Sequence, residues 1–345
     1  MGKRVITFGE VMLRLSVPRH NRFVQTDELI VTFGGGELNV AISLANYGVE
    51  SEFVTRLPRN EIAEHCMGTI RTKAVDVSHV IYGGNRMGLY YLERGDALRG
   101  SKVIYDRANS SFAEIEPGMI DWDEVMSGSE WFHFSGIIPA LSKSAAEACL
   151  EAVKAAVRNG LTVSCDINNR FTLWKWGKSV REVMPVFMPY CDVVLASKED
   201  LGYIFGIKAH EFCVEDEEAR DVAEYESSAS QFMSMYPNVK KMVTTFRENI
   251  SASHNRLRAV LYDGVKVFRG PQYDIPQIVD RVGGGDAFMG GVIYGLLNFD
   301  DQKAINFAET ASFLKHTIYG DFNRVTLEEI NEVMRDGHHQ GITYQ

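Results

Sequence analysis

Three consecutive glycines run directly into an aspartate at residues 283–286. Because glycine has no side chain, the backbone N–H groups of such a run can crowd around an anion, and a following helix adds partial positive charge at its N-terminus. Asp286 would repel a bound phosphate but could take the proton from a hydroxyl that attacks it. The pattern indicates phosphoryl transfer to an alcohol. A glycine-rich turn with Asp286 as an ordinary helix N-cap is the alternative.

A second glycine cluster occupies residues 34–36, just before a predicted helix at 38–47. Gly34 and Gly35 would let a ligand approach the backbone closely, and Asn39 offers donors and an acceptor to a polyol. Taken alone, this cluster is equally typical of a tight turn.

Short apolar segments alternate with helical patterns along most of the chain, which is typical of an α/β fold with a mostly parallel sheet covered on both faces. A helix is predicted at 142–158, where apolar residues recur at helical spacing before Asn159-Gly160. The candidate strands are 5–8, 51–54, 131–134, 162–166, 193–196, 241–245 and 260–262.

Two regions, at about 11–33 and 86–108, break this alternation and look extended. We interpret them as a small β-lid on a single domain that spans residues 1–345. Side chains alternate along a strand, so we expect Tyr105 and Arg107 on one face of the lid. Residues 211–225 are acidic and weakly apolar, which favours a solvated surface insertion.

Composition and charge narrow the classes of function. A net charge of −10 disfavours nucleic-acid binding, so an anionic substrate must be held by locally concentrated arginine, lysine and backbone N–H groups. No stretch approaches the roughly 18 apolar residues of a membrane span, and the first apolar run breaks at Glu10, too early for a signal peptide. Five cysteines without CxxC spacing argue against a disulfide framework or a thiolate zinc site, and favour the cytoplasm.

The two glycine clusters resemble the two signatures of the ribokinase (PfkB) family of carbohydrate kinases. The matching segments are GGGELNVA at 34–41 and DRVGGGDAF at 280–288, in the family's order and at the expected ends of the chain. Within the family, the stretches 84–90, 102–108, 164–170 and 314–322 are similar to the kinases of 2-keto-3-deoxygluconate. The resemblance implies a ribokinase-like three-layer sandwich, MgATP as donor, and a sugar acid phosphorylated on its terminal hydroxyl.

The resemblance also implies a role for each matching residue. Asp286 is the expected catalytic base, and the amides of Gly283, Gly284 and Gly285 form the expected anion hole. The expected sugar contacts are Gly34, Gly35, Asn39, Tyr90, Tyr105, Arg107, Arg170 and Asp321. The expected nucleotide contacts are Asn168, Ser197, Thr245, Arg247, Gly283 and Gly285, with Asp200 reaching magnesium through water.

Two arginines favour a sugar acid over a neutral sugar or nucleoside. A carboxylate needs a fixed cationic partner, and arginine binds it through two parallel bonds where lysine acts as a point charge. Arg107 and Arg170 can fill this role, and the alternative for each is a surface salt bridge.

The chain departs from the broad family at 244–253, where relatives carry a glycine-containing loop and this chain has no glycine. The nucleotide contacts by Thr245 and Arg247, and the donor preference, depend on this altered segment.

Single features of the sequence argue against two other functions. A dinucleotide-dependent oxidoreductase would carry GxGxxG after the first strand, and this chain does not. A non-catalytic sugar-binding regulator would not need Asp286. The partners expected are a small sugar acid and ATP, without nucleic acid or membrane. Exposed lid strands favour a homo-oligomer, and the cofactors are ATP and Mg²⁺, with or without a monovalent cation.

Overall fold

Strands and helices alternate along the chain in the computed structural model, which describes residues 3–210 and 215–336. The strands are β1 (Arg4–Phe8), β2 (Met12–Ser16), β3 (Ile30–Gly34), β4 (Glu50–Val54), β5 (Arg56–Leu57), β6 (Ile81–Tyr82), β7 (Gly88–Glu93), β8 (Lys102–Asp106), β9 (Trp131–Ser135), β10 (Thr162–Asp166), β11 (Val193–Leu195), β12 (Lys241–Asn249), β13 (Asn255–Tyr262), β14 (Val267–Arg269) and β15 (Tyr273–Ile275). The helices are α1 (Gly36–Asn46), α2 (Glu61–Arg71), α3 (Trp122–Met126), α4 (Ile137–Leu141), α5 (Lys143–Arg158), α6 (Val180–Phe187), α7 (Lys198–Phe205), α8 (Glu217–Met235), α9 (Gly284–Asn298), α10 (Asp301–Lys315) and α11 (Leu327–Asp336).

A nine-stranded central sheet has the order β14-β13-β12-β11-β10-β9-β1-β4, with β15 alongside β13. The six strands from β12 to β4 run parallel, and β13, β14 and β15 are antiparallel. Each of the seven predicted strands lies in this sheet. Since the carboxyl ends of parallel strands meet at one edge, the loops that follow β1, β9, β10 and β11 converge there.

Helices cover both faces of the sheet, which explains why its strands are apolar on both sides. Phe132 and Phe134 of β9 pack in one core cluster with α5, α6 and α8, whereas the neighbouring Trp131 packs on the other face with α1, α9 and α10. This is the three-layer α/β sandwich that the sequence predicted, and the prediction of fold class is confirmed.

The two regions interpreted as a lid supply all four strands of a second, smaller sheet with the order β3-β2-β7-β8. Strands β2 and β7 are parallel, and the pairs β2–β3 and β7–β8 are antiparallel. We call this element the small sheet. Its edge strand β8 is exposed along its whole length.

One expectation about local structure was wrong. Residues 217–225, expected in a surface insertion, begin the 19-residue helix α8, and residues 211–214 of that insertion lie outside the described ranges. Val222, Tyr225 and Phe232 recur at helical spacing and are buried, while the acidic side chains between them hide this pattern in the composition. The altered segment at 244–253 is strand over its first part, because β12 stays paired with β13 as far as Asn249.

Within the described ranges, no helix combines the length and apolar character needed to span a bilayer. Four cysteines, Cys66, Cys149, Cys165 and Cys191, are buried free thiols.

Candidate active site

A cleft of about 560 Å³ opens where the carboxyl edge of the central sheet faces the small sheet. Every residue predicted for the site lines this cleft except Gly34 and Gly284. Those two glycines lie in its wall, since a Cβ on Gly34 would overlap the carboxylate of Asp321 and one on Gly284 would overlap the His316 ring. The fold therefore brings the two glycine clusters together from opposite ends of the chain.

The glycine run forms the N-terminus of α9. Gly283 is the N-cap residue and has a φ of +83°, a left-handed conformation that favours glycine. A Cβ there would overlap the backbone oxygen of Asp321, whereas nothing lies within 4 Å of a Cβ built on Gly285. The first backbone N–H groups of a helix have no partner inside it, so this helix end can bind an anion in the cleft.

Asp286 lies in the first turn of α9 and is not its N-cap, so the alternative in which it only caps the helix is wrong. Asn39 of α1 donates from Nδ2 to Oδ2 of Asp286 at 2.7 Å. The two helices approach closely because Gly290 faces Ser43, where a Cβ would lie 2.7 Å from the serine Cβ. Burial raises the pKa of Asp286 to about 6, against the hydrogen bond from Asn39. The carboxylate is therefore ionised at neutral pH and basic enough to accept a proton.

The small sheet contributes an arginine and two tyrosines to the cleft. Arg107 is buried and donates from Nε to Oε2 of Glu10 at 2.6 Å, and Glu10 also accepts from the hydroxyl of Ser110. Among the described residues, no partner holds the two terminal nitrogens of Arg107, so they remain for a ligand. Tyr105 is 41% exposed, and its ring lies 6.0 Å from that of the buried Tyr90.

A second group of positive charges lies on the side of the cleft that is formed by the central sheet and its helices, which we call the body. Arg170, Arg247 and Arg281 line it, and none of them pairs with a carboxylate in the described part of the chain. Desolvation in the cleft, together with the neighbouring charges of Arg281 and Arg170, lowers the pKa of Arg247. Arg281 was given no role by the sequence, although it lies two residues before Gly283, the first residue of the glycine run. Three unpaired cations in a protein of negative net charge form a candidate site for a polyphosphate.

Two carboxylates lie near these arginines. Asp166, which sequence reasoning left without a role, accepts from the backbone N–H and Nδ2 of Asn168 at 3.0 and 3.2 Å. Burial and the charge of Asp286 raise the pKa of Asp166 to about 7. Ser197 is the N-cap of α7 and shares reciprocal hydrogen bonds with Asp200, whose pKa is also raised by burial. The described residues contain no group of three metal-ligating side chains.

Asp321, predicted as a sugar contact, is engaged by the protein itself. Its carboxylate accepts from the hydroxyl of Tyr90 at 2.7 Å and from Nη1 of Arg14 at 2.6 Å. Arg14 also pairs with Asp280 at 2.5 Å. Sequence reasoning missed Arg14, because one arginine among alternating lid residues carries no motif.

Comparisons with known proteins, by sequence and by structure, both find similarity to carbohydrate kinases. A family model described as pfkB family carbohydrate kinase matches residues 3–321. The 2-dehydro-3-deoxygalactonokinase of Haloferax volcanii is 28% identical over 98% of both chains, and the 2-dehydro-3-deoxygluconokinase of Thermoproteus tenax is 25% identical over 92% of this chain and 89% of that one. The crystal structure of the Thermotoga maritima 2-dehydro-3-deoxygluconokinase superposes with a TM-score of 0.90 at 42% identity, covering 96% of this chain and 99% of that one.

Proposed function

The chain belongs to the pfkB family of carbohydrate kinases, as its glycine signatures predicted, and we propose that it phosphorylates the terminal hydroxyl of 2-keto-3-deoxygluconate with MgATP. The observation that carries this proposal is the placement of Asp286 between an anion-binding helix end and a cleft that has Arg107 on its sugar side. Membership of the family supports a sugar as substrate and a nucleotide as phosphoryl donor. Arg107 supports a sugar that carries a carboxylate.

In the proposed mechanism, the ionised Asp286 accepts the proton of the sugar hydroxyl as the hydroxyl oxygen attacks the γ-phosphoryl group in line, and the bond from that group to the leaving ADP breaks. The N–H groups of the first turn of α9, which lack partners inside the helix, stabilise the charge that spreads over the phosphoryl oxygens. Asn39 holds the carboxylate of Asp286 through its 2.7 Å hydrogen bond, so the base is already oriented before the substrate arrives.

Two unpaired arginines, Arg247 and Arg281, support the assignment of the nucleotide to the side of the cleft formed by the central sheet and its helices, where they supply fixed positive charge for the phosphates. Arg170 lies in the same cleft, and we keep it as the second proposed partner of the sugar carboxylate, as the resemblance implied. Burial raises the pKa values of Asp166 and Asp200, and a divalent cation beside these carboxylates would compensate them. When bound there, Mg²⁺ neutralises phosphate charge and stabilises the transferring group. Ser197 and Asn168 hold these carboxylates in place.

The small sheet is proposed to act as the lid that holds the sugar acid and excludes water. Arg107 is oriented by Glu10 through Nε, which leaves its outer edge for the carboxylate of the substrate. Tyr90 and Tyr105 then pack against the carbon chain. The exposed edges of the same sheet carry Val31 and Ile104, which are 47% and 55% exposed, and support a homo-oligomer formed through this surface.

A substrate panel tests the proposal. Turnover would be measured by coupled ATP consumption with 2-keto-3-deoxygluconate, its galactonate epimer, gluconate, fructose and ribose, and ³¹P NMR would locate the new phosphate. We expect a kcat/KM for 2-keto-3-deoxygluconate at least about 100-fold above that for either neutral sugar, the scale of a lost charged partner in a buried site. A neutral sugar with the higher kcat/KM, or no sugar-dependent ATP consumption, would overturn it.

The galactonate epimer is the second candidate substrate, because the Haloferax volcanii relative is named for it. The two acids share the carboxylate and the terminal hydroxyl that Arg107 and Asp286 are proposed to contact. The ratio of their kcat/KM values therefore reports on the remaining contacts of the cleft.

A further inference from the structure

Arg14 is a fully buried arginine in the middle of β2, and it joins the small sheet to the body. Its guanidinium uses all three nitrogens: Nε donates to the hydroxyl of Ser16 at 2.8 Å, Nη1 to Asp321 at 2.6 Å and Nη2 to Asp280 at 2.5 Å. Burying such a charge is costly unless its partners are excellent, so an unneeded arginine would be readily replaced here. Arg14 does not line the cleft and cannot touch a substrate there.

The two carboxylates that Arg14 holds shape the phosphate-binding helix end. Asp280 accepts from the backbone N–H of Val282 at 3.1 Å and from that of Gly320 at 3.2 Å, and so it fixes the turn before Gly283. The backbone oxygen of Asp321 packs so closely on Gly283 that no Cβ would fit. Both walls of the anion-binding turn are therefore anchored to the same guanidinium.

The ion pair between Arg14 and Asp321 also contacts residues on the side of the cleft where we propose that the sugar binds. The carboxylate of Asp321 accepts from the hydroxyl of Tyr90, which stands on β7 next to Arg14 in the strand register. That carboxylate also packs on Gly34 of the glycine cluster at 34–36. Arg14 thus lies where the small sheet, the glycine cluster at 34–36 and the N-terminus of α9 meet.

We propose that Arg14 is a positioning residue that sets the distance and angle between the sugar held by the small sheet and the phosphoryl group held at α9. This inference rests on the proposed function for the identity of the two ligands. Arginine suits the task because its planar fork can bind two carboxylates in fixed directions, whereas lysine is a point charge that would favour one. Lys315 is also buried beside Asp280 and Asp321, and it would keep them partly compensated in a variant without Arg14.

Three variants test the positioning role. Arg14→Met removes the charge, and Arg14→Lys keeps the charge but loses the fork. Arg99→Met is the matched control, since Arg99 is another arginine of the small-sheet region, paired with Glu93 at 2.9 Å and outside the cleft lining. A misplacement of about 1 Å can reduce a rate about 100-fold, so we expect kcat to fall at least about 30-fold for Arg14→Met and about 10-fold for Arg14→Lys. The KM values for sugar acid and ATP should change by less than about threefold, and the control should keep its kcat within about twofold.

Chemical rescue separates positioning from a purely structural role. In Arg14→Ala, guanidinium chloride at tens of millimolar should restore part of the lost kcat, while sodium chloride at the same ionic strength should not. Folded Arg14→Met with normal kcat, or Arg14→Ala whose activity guanidinium does not raise, would overturn the proposal.

Hydrogen exchange gives a readout that does not depend on activity. The peptide 280–288 should exchange faster in Arg14→Met than in the wild type, and at the wild-type rate in Arg99→Met. If Arg14→Met does not fold, Arg14→Lys is used for the same comparison. Unchanged exchange would refute the positioning role. A wild type that phosphorylates no sugar acid would refute the proposed function alone, because the exchange result still decides the role of Arg14.

Discussion

Replacing Asp286 by asparagine should make the protein more stable at pH 8 while removing almost all turnover. Asparagine has nearly the same shape, and its side-chain oxygen can still accept the 2.7 Å hydrogen bond from Asn39. The substitution therefore changes the charge and the proton affinity of this site and leaves its packing in place. Stability and activity should change in opposite directions, because burial destabilises the ionised form of Asp286 and the proposed catalysis needs that form.

The magnitude follows from the pKa of Asp286, which burial raises from 3.8 to about 6. At about 1.4 kcal/mol for each pH unit, this difference corresponds to at most roughly 3 kcal/mol. Asp286 is partly open to the cleft, so water screens some of the effect and we expect a gain of about 1 to 3 kcal/mol. The native state binds this proton more tightly than the unfolded state does. Wild-type stability from this group is therefore lost as the pH rises from about 4 to about 6, and the neutral asparagine avoids that loss.

Activity should depend on the deprotonated form of Asp286, whose population rises with pH. A positioned general base contributes about 100-fold to 10,000-fold, so the kcat of Asp286→Asn should fall at least about 100-fold. In the wild type, kcat/KM should decrease below about pH 6 as the base becomes protonated. The variant should lack this acidic limb.

Urea unfolding between pH 4 and pH 8, combined with coupled ATP assays, measures both effects. Asp263→Asn is the matched control, because Asp263 accepts from the N–H groups of Val265 and Lys266 at 2.8 Å in a turn outside the cleft lining. These hydrogen bonds outweigh slight burial and lower the pKa of Asp263, so the control should lose stability at pH 8 and keep its kcat. Turnover of Asp286→Asn within about tenfold of the wild type, or lower stability at pH 8, would refute the reasoning.

Four further substitutions test the two sides of the cleft and the helix end. Arg107→Ala should raise the KM for sugar acid at least about 10-fold, as for a charged hydrogen bond worth ~1.5–3 kcal/mol, and the ATP KM by less than about twofold; equal effects in steady-state kinetics would contradict its assignment. Arg247→Ala should raise the ATP KM instead, and an increase confined to the sugar-acid KM would place the nucleotide elsewhere. Gly283→Ala should lower both Tm and kcat, because its φ of +83° and the oxygen of Asp321 leave no room for a Cβ, while Gly285→Ala, which meets no atom within 4 Å, should keep its Tm in differential scanning fluorimetry.

The local sequence was sufficient to predict a structural feature where a single segment contains all the residues that cause it. The glycine run at 283–285 predicted a helix N-terminus open to an anion, and Asp286 follows in the same turn. The apolar strands predicted the central sheet because burial on both faces demands continuous hydrophobic residues. The same reasoning failed for 217–225, where the acidic residues of the exposed face outweighed Val222 and Tyr225 in the composition.

Only the tertiary structure decided which charges face each other. Arg14 is paired with Asp280 and Asp321, which are 266 and 307 residues away in the chain, and Arg107 is paired with Glu10, which is 97 residues away. No spacing rule connects such positions, because their distance is set by how the small sheet sits against the central sheet. The sequence by itself indicated the kind of chemistry, through an aspartate that follows a glycine run at a helix N-terminus. The fold determined which arginines remain free for ligands, since a guanidinium whose three nitrogens are all bound by buried partners, as in Arg14, cannot bind another anion.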